Sequence, residues 1–262
     1  RLYLPAAWLA DRARAAAVQI PATLGFQTKV AYALGMLHAA VVRGDCPARW
    51  VVADEIYGRN RTFREGVAAL GLWYVAEIDA TTKVRVGPRH VPVATVAATL
   101  PAEAWTVVTV ADGAQGPRQW RLWAKRVRGA GREAHTMRWL LCRQNLDGRE
   151  PRYYWSNAPA DTPLATFGAV VNQRSRVEQL LEESKGEVGL DEYEVRSWPG
   201  WYHHIALTMV AQAFLLSRHR EWKKKGAGPY GAASLSAGAG DAASASLDGV
   251  PGFSLGACDP TA

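Results

Sequence analysis

Cysteine is scarce and scattered. The chain has three, Cys46, Cys142 and Cys258, an odd number with no two close together. That excludes a disulfide framework and a cysteine-type zinc site, and it suits a reducing compartment. The six histidines show no His-Glu-x-x-His or comparable ligand spacing. Long apolar runs are missing too. Ile205 to Leu216, the longest on a helical pattern, is about 12 residues and contains Gln212, too short for a membrane span. No charged start followed by an apolar stretch marks a secretory signal, and there is no initiator methionine. Basic residues stop altogether after Lys225. The stretch from Gly226 is Gly, Ala and Ser with few large apolar residues, a composition that predicts disorder.

What is present is positive charge and tryptophan. The whole chain carries +7, but all three late acids (Asp241, Asp248 and Asp259) follow residue 225. Residues 1–225 therefore hold 31 bases against 21 acids, a net +10. Such an excess suits a polyanion, DNA or RNA. The 11 tryptophans could stack on bases, although core filling is their commoner use.

The patterning divides the chain. Arg1–Leu4 alternates and is stopped by Pro5, as a strand end is. Thr28 to Val42 predicts an amphipathic helix with Val30, Leu34, Leu37, Ala40 and Val41 on one side, closed by Gly44. RWVVA (Arg49–Ala53) and LWYVAEI (Leu72–Ile78) are continuous apolar runs, expected of parallel strands buried on both faces, with a helix over Thr62 to Leu70 between them. From Thr81 to Trp155 the periods shorten. Strands are expected at Trp105–Val110, Trp120–Val127, Thr136–Cys142 and Tyr153–Trp155, separated by Gly-containing turns such as Gly87-Pro88 and Asp147-Gly148. Helices return at Thr166 to Lys185 and, after a hinge at Gly186–Gly189, at Gly200 to Trp222, with Ile205, Met209, Ala213 and Leu216 on a buried stripe. The expected division is 1–80 an α/β core, 81–160 a β-rich insertion, 161–225 C-terminal helices and 226–262 the tail.

Two places carry chemistry. Asp54 follows a predicted parallel strand, where α/β sheets place functional groups, although an Asp there can equally cap the next turn. On the later helix, Arg174, Glu178 and Lys185 are offset by four and seven residues. At about 100° per residue they share one stripe, with Val177, Leu180 and Ser184 beside it on a side that can pack inward. A carboxylate between two bases stays ionised and can be aimed at a metal or a phosphate. The plainer account is a solvated helix face with ion pairs worth a few tenths of a kcal/mol.

The stretches RLYLPAAW, RWVVADEIYG, GLWYVAEI and VEQLLEESKGEVGLDEYEVRSWPGWYHHIALTMVAQAFL resemble bacterial insertion-sequence transposases of the DDE superfamily, from residue 1 to about 217. One group of these carries a Tyr-x2-Arg-x3-Glu-x6-Lys signature. Arg174-x3-Glu178-x6-Lys185 keeps that spacing, with Val171 in place of the tyrosine. The resemblance implies an α/β, RNase H-like mixed sheet with a β-rich insertion and C-terminal helices. It implies Asp54 and Glu178 as the second and third catalytic acids, holding two Mg²⁺ (or Mn²⁺) ions. Arg174 and Lys185 would hold DNA phosphates, and Tyr57, Arg196 and Trp198 would contact DNA. The implied partner is double-stranded DNA at insertion-sequence ends, handled by a homodimer, in the cytoplasm at the nucleoid and away from membranes. The insertion would cover the DNA end, with Trp105, Trp120, Trp123 and Trp139 candidates for base stacking and core packing the favoured use of each.

The resemblance also raises an absence. The family's first acid lies on an earlier strand, and upstream of Asp54 stand only Asp11 and Asp45, neither on a buried strand. The first strand and its acid are therefore expected to be absent. That predicts a chain inactive alone and an apolar unpaired edge at Trp50–Val52. A non-catalytic DNA-binding fragment and a basic β-rich interaction module are the rival readings.

Overall fold

The computed structural model describes residues 2–44, 47–113 and 116–224. These form two compact units, one built from residues 30–174 and one from residues 2–29 and 175–224. The expected tail lies outside the described residues, as do Asp45, Cys46 and Cys258. No helix among the described residues is long and apolar enough to cross a membrane.

The smaller unit opens with α1 (Ala6–Ala10) and α2 (Arg12–Ala17), the second capped by Asp11, whose carboxylate accepts from the Arg14 amide at 3.0 Å. The strand expected over Arg1–Leu4 is not formed over its described residues, Leu2–Leu4. Leu4 instead buries against Leu9, Ala15 and Ile20, so this short apolar stretch serves a helical cluster rather than a sheet.

The larger unit begins with α3 (Lys29–Arg43), closed by Gly44 in the left-handed region at φ 71°. Val30, Leu34 and Leu37 face the core as the periodicity predicts, joined by Ala33, while Val41 stays exposed. Then come β1 (Trp50–Ala53), the short α4 (Glu55–Gly58), α5 (Arg61–Ala69) and β2 (Trp73–Ile78). β1 and β2 pair in parallel, Trp50 opposite Trp73 and Ala53 opposite Ala76. A small hairpin follows, β3 (Lys83–Val86) and β4 (Arg89–Pro92), and then α6 (Val93–Ala98). The sequence reading had only the turn at Gly87-Pro88 here.

β5 (Thr106–Gly113), β6 (Gly116–Arg128), β7 (Met137–Gln144) and β8 (Arg152–Ser156) lie where short-period strands were expected. They do not form a sheet of their own. β8 pairs antiparallel with β2, and one six-stranded mixed sheet runs β1-β2-β8-β7-β6-β5. The α/β class and mixed sheet read from the sequence are what the chain has.

The sheet has an apolar layer on each face. On one, Tyr74, Ala76, Ile78, Leu140, Cys142 and Trp155 pack with Phe63 and Val67 of α5. On the other, Val75, Leu122, Leu141 and Tyr154 pack with Phe167, Val170 and Val171 of α7 (Leu164–Val188). The alternation follows from side chains on a strand pointing to opposite faces. β2 lies between two strands and is buried almost throughout. Among the described residues β1 has one neighbour, and it is only half-buried over Trp50–Val52. The edge expected at these residues is therefore present, and the expectation that β1 would be buried on both faces is not met.

α7 continues unbroken through Gly186 to Val188, so the expected hinge begins only at Gly189. α8 (Trp198–Lys224) completes the fold. Its predicted buried stripe is not buried, and Met209, for example, is 65% exposed. Periodicity selects a face of a helix but does not supply a partner for it.

Candidate functional site

Asp54 is the first residue after β1, at the carboxyl end of the parallel pair. Trp50 and Val52 belong to the α7 side of the sheet and Val51 and Ala53 to the α5 side, so the alternation carries Asp54 to the α7 side. There it caps α4, Oδ1 accepting from the Tyr57 amide at 3.2 Å. A cap engages one carboxylate oxygen and leaves the chemistry of the other open. The Tyr57 ring packs on Phe63, centroids 5.1 Å apart. α4 sits hard against β2 because Gly58 has no side chain: a Cβ there would fall 1.7 Å from the Glu77 carbonyl oxygen.

Glu77 was not singled out by the sequence reading. It is the one acid in the apolar run LWYVAEI, and an acid in a buried strand must find cations. That was the available signal. By register it follows Ala76, the partner of Ala53, so Glu77 stands beside Asp54. Its side chain is 8% exposed and holds two arginines: Arg152 Nη1 donates to Oε1 at 2.9 Å, and Arg174 Nη1 donates to Oε2. Arg174 is reached because α7 presents Phe167, Val170, Val171 and Arg174 along one face, three and four residues apart. Val171, the position of the signature tyrosine, is a core residue here, 5% exposed.

The tryptophans of the β-rich block are used in packing. Trp120 lies in the α7-side core, Trp139 meets Phe167 with centroids 5.3 Å apart, and Trp105 and Trp123 pack against the α5-side core.

The other predicted residues belong to the smaller unit. Glu178 and Lys185 are exposed on α7, Glu178 one turn beyond Arg174 on the same helix. Of the side expected to pack inward, Ser184 is buried and donates to the Leu180 carbonyl at 2.7 Å, but Val177 and Leu180 are exposed. Arg196 is exposed. Trp198 packs on the Leu4–Leu9–Ala15–Ile20 cluster, its amide donating to the Val18 carbonyl at 2.8 Å and its ring 4.9 Å from that of Tyr202. His204 Nε2 bonds the Gly189 carbonyl oxygen at 3.0 Å, a structural use.

Asp and Glu oxygens suit a hard divalent ion. Among the described residues, however, no three His, Cys, Asp or Glu side chains gather into a ligand group. Glu77 is committed to arginines. These carboxylates therefore do not fit a two-ion centre by themselves, and no chemical step is derived through one.

Residues 1–130 match the family described as DDE superfamily endonuclease. The match contains Asp54, Tyr57 and Glu77 and ends before α7. No curated protein matches the chain.

Proposed function

From the match of residues 1–130 to the DDE superfamily endonuclease family we propose that the chain engages double-stranded DNA as part of an insertion-sequence transposase. The observation that carries this is Asp54 at the carboxyl end of a parallel strand within the matched stretch. The mixed sheet with helices on both faces is consistent with the RNase H-like fold of such domains.

In this reading Asp54 and Glu178 are two of the acids that handle the divalent ions (Mg²⁺ or Mn²⁺) of the family's phosphoryl transfer. Bound ions would supply charge neutralisation at the phosphate. Arg174 and Lys185 hold DNA phosphates through charge-assisted contacts, with Tyr57, Arg196 and Trp198 as further contacts. Residues 81–160 form the part that covers a DNA end, and two copies act on paired ends at the nucleoid. Two carboxylates are too few for a two-ion centre, so the chain alone binds DNA without cutting it. Cleavage needs a third acid from outside the described residues.

The test has two stages. Duplex binding by the chain should fall steeply between about 50 and 200 mM salt, since phosphate contacts release counterions. A flat response defeats the DNA reading and favours a basic interaction module. Supplying an upstream segment with a strand-borne Asp should then restore Mg²⁺-dependent nicking, and Glu178→Gln should abolish it. Binding with no restored nicking is the outcome of the second reading, a non-catalytic DNA-binding fragment.

A further inference from the structure

Two acids in the larger unit each hold a pair of arginines, and the contrast between them is informative. Glu133, on the α5 side, holds Arg64 and Arg138, whose side chains are 5% and 7% exposed. That triad is closed to any ligand. Glu77, on the α7 side, holds Arg152 and Arg174, whose side chains are 56% and 38% exposed. Its carboxylate is buried while the guanidiniums reach solvent, so the acid fixes the two cations from beneath.

A third cation joins them. Arg143 on β7 is the direct cross-strand partner of Arg152 on β8. Like charges at directly opposed positions repel, and the Glu77 carboxylate bonded to Arg152 offsets only part of that. Arg143 is held in place by the Trp120 ring, 4.2 Å from its guanidinium carbon, and its Nε is buried with no hydrogen-bond partner among the described residues. Burial pushes the Tyr154 phenol up, and within that shift the nearby Arg143, Arg152 and Arg174 favour its ionisation while Glu77 opposes it. Three arginines and one glutamate therefore share the α7 side of the sheet around β8, with a net charge of +2 by formal count.

We propose that Arg143, Arg152 and Arg174, positioned by the buried Glu77 carboxylate, form a binding site for a phosphate oxyanion. Guanidinium forks match the oxygens of a phosphate and can bind it in pairs. Resting on the function proposed above, the oxyanion is a phosphodiester of duplex DNA, which makes Arg143 and Arg152 contacts additional to Arg174. The shared chemistry also admits free phosphate, and the experiment separates the two.

In the first arm, thermal unfolding of the full chain is followed in phosphate and in chloride at matched ionic strength. Phosphate should raise the midpoint of the wild type, and Arg152→Gln, a change at an exposed side chain, should remove most of that rise. In the second arm, a labelled short duplex is titrated with salt. Each lost phosphate contact lowers the log–log slope by about 0.9, so Arg143→Gln with Arg152→Gln should lower it by up to about two. Arg85→Gln with Arg89→Gln, on the β3–β4 hairpin, removes the same charge elsewhere and should leave the slope nearly unchanged. A phosphate effect that survives Arg152→Gln overturns the site, and so does an equal loss of slope in the hairpin pair. A phosphate effect lost in Arg152→Gln, beside a wild type with no salt-dependent duplex binding, upholds the site and defeats the DNA reading instead.

Discussion

Glu133, in the turn before β7, shows what a charge held between enclosed arginines is worth. Its carboxylate accepts from Arg138 Nη1 at 3.0 Å and from Arg64, and both arginines are enclosed. Removing one partner of such a group strands the others in a poor solvent for charge. Glu133→Gln should therefore cost about 3 kcal/mol, read as a shift of the urea midpoint. Arg61→Gln, which breaks only the exposed Arg61–Glu65 pair, should cost no more than about 0.5 kcal/mol. Cys142 gives a prediction in pH. Burial pushes its thiol up to about 12 from an ordinary value of 9.0, and burial pushes the Tyr154 phenol from 10.0 to about 12. The unfolded chain sheds these protons first. Stability should be whole below about pH 9 and decline as the pH rises from there toward 12. Urea midpoints measured across that range check the trend. In the same samples thiol reagents should modify Cys142 only as the chain unfolds, which peptide mass spectrometry can follow.

Among the elements, α7 has the clearest division of labour along its length. Phe167, Val170 and Val171 fill the sheet-side core, and Arg174 ends that face on Glu77. Gly168 permits the approach, since a Cβ there would meet Val108 and Val110 at 3.0 Å. Val171→Tyr, which restores the signature residue, should thus act as an overpacking substitution. A loss of about 1–3 kcal/mol is expected by urea titration. Improved DNA binding with unchanged stability would contradict the packing assigned to Val171.

The same helix shows how far sequence reasoning reaches. Most of its length was legible from periodicity, although it runs on to Val188 past the expected hinge at Gly186, and β1, β2 and the four later strands were legible too, because runs such as RWVVA and LWYVAEI have few other uses. Asp54 at a strand end was legible for the same reason. The β3–β4 hairpin was missed although Lys83, Val84, Arg85 and Val86 alternate, because its turn drew the attention its strands needed. The Glu77–Arg174 pair joins residues 97 positions apart, and no local pattern encodes such a contact. α8 was misjudged because apolar residues lie on several of its sides. Leu207, Met209, Val210 and Phe214 are all exposed, and a stripe chosen among them said nothing about what covers it.

At the scale of the molecule, stability should be graded. The middle of the sheet is enclosed by apolar layers on both faces, whereas α8 buries little of itself. Amide exchange should therefore be slowest in β2, β7 and β8, at rates set by global unfolding. α8 should exchange sooner, through local opening. Exchange followed by mass spectrometry checks this, and equal protection in α8 and β2 would refute it.

The pairing of β2 with β8 also sets a schedule. Val75 meets Ser156, and the residues between them supply β3 to β7. During synthesis β2 has its parallel partner almost at once, but its other edge must wait for β8 to be translated. At about 5–20 residues per second that wait is on the order of 4–16 s. Throughout it, the nascent chain carries an open apolar strand that begins at Trp73. The ribosome-bound intermediate is the moment at which this protein most needs a chaperone, and slowing translation between residues 79 and 151 would lengthen that exposure.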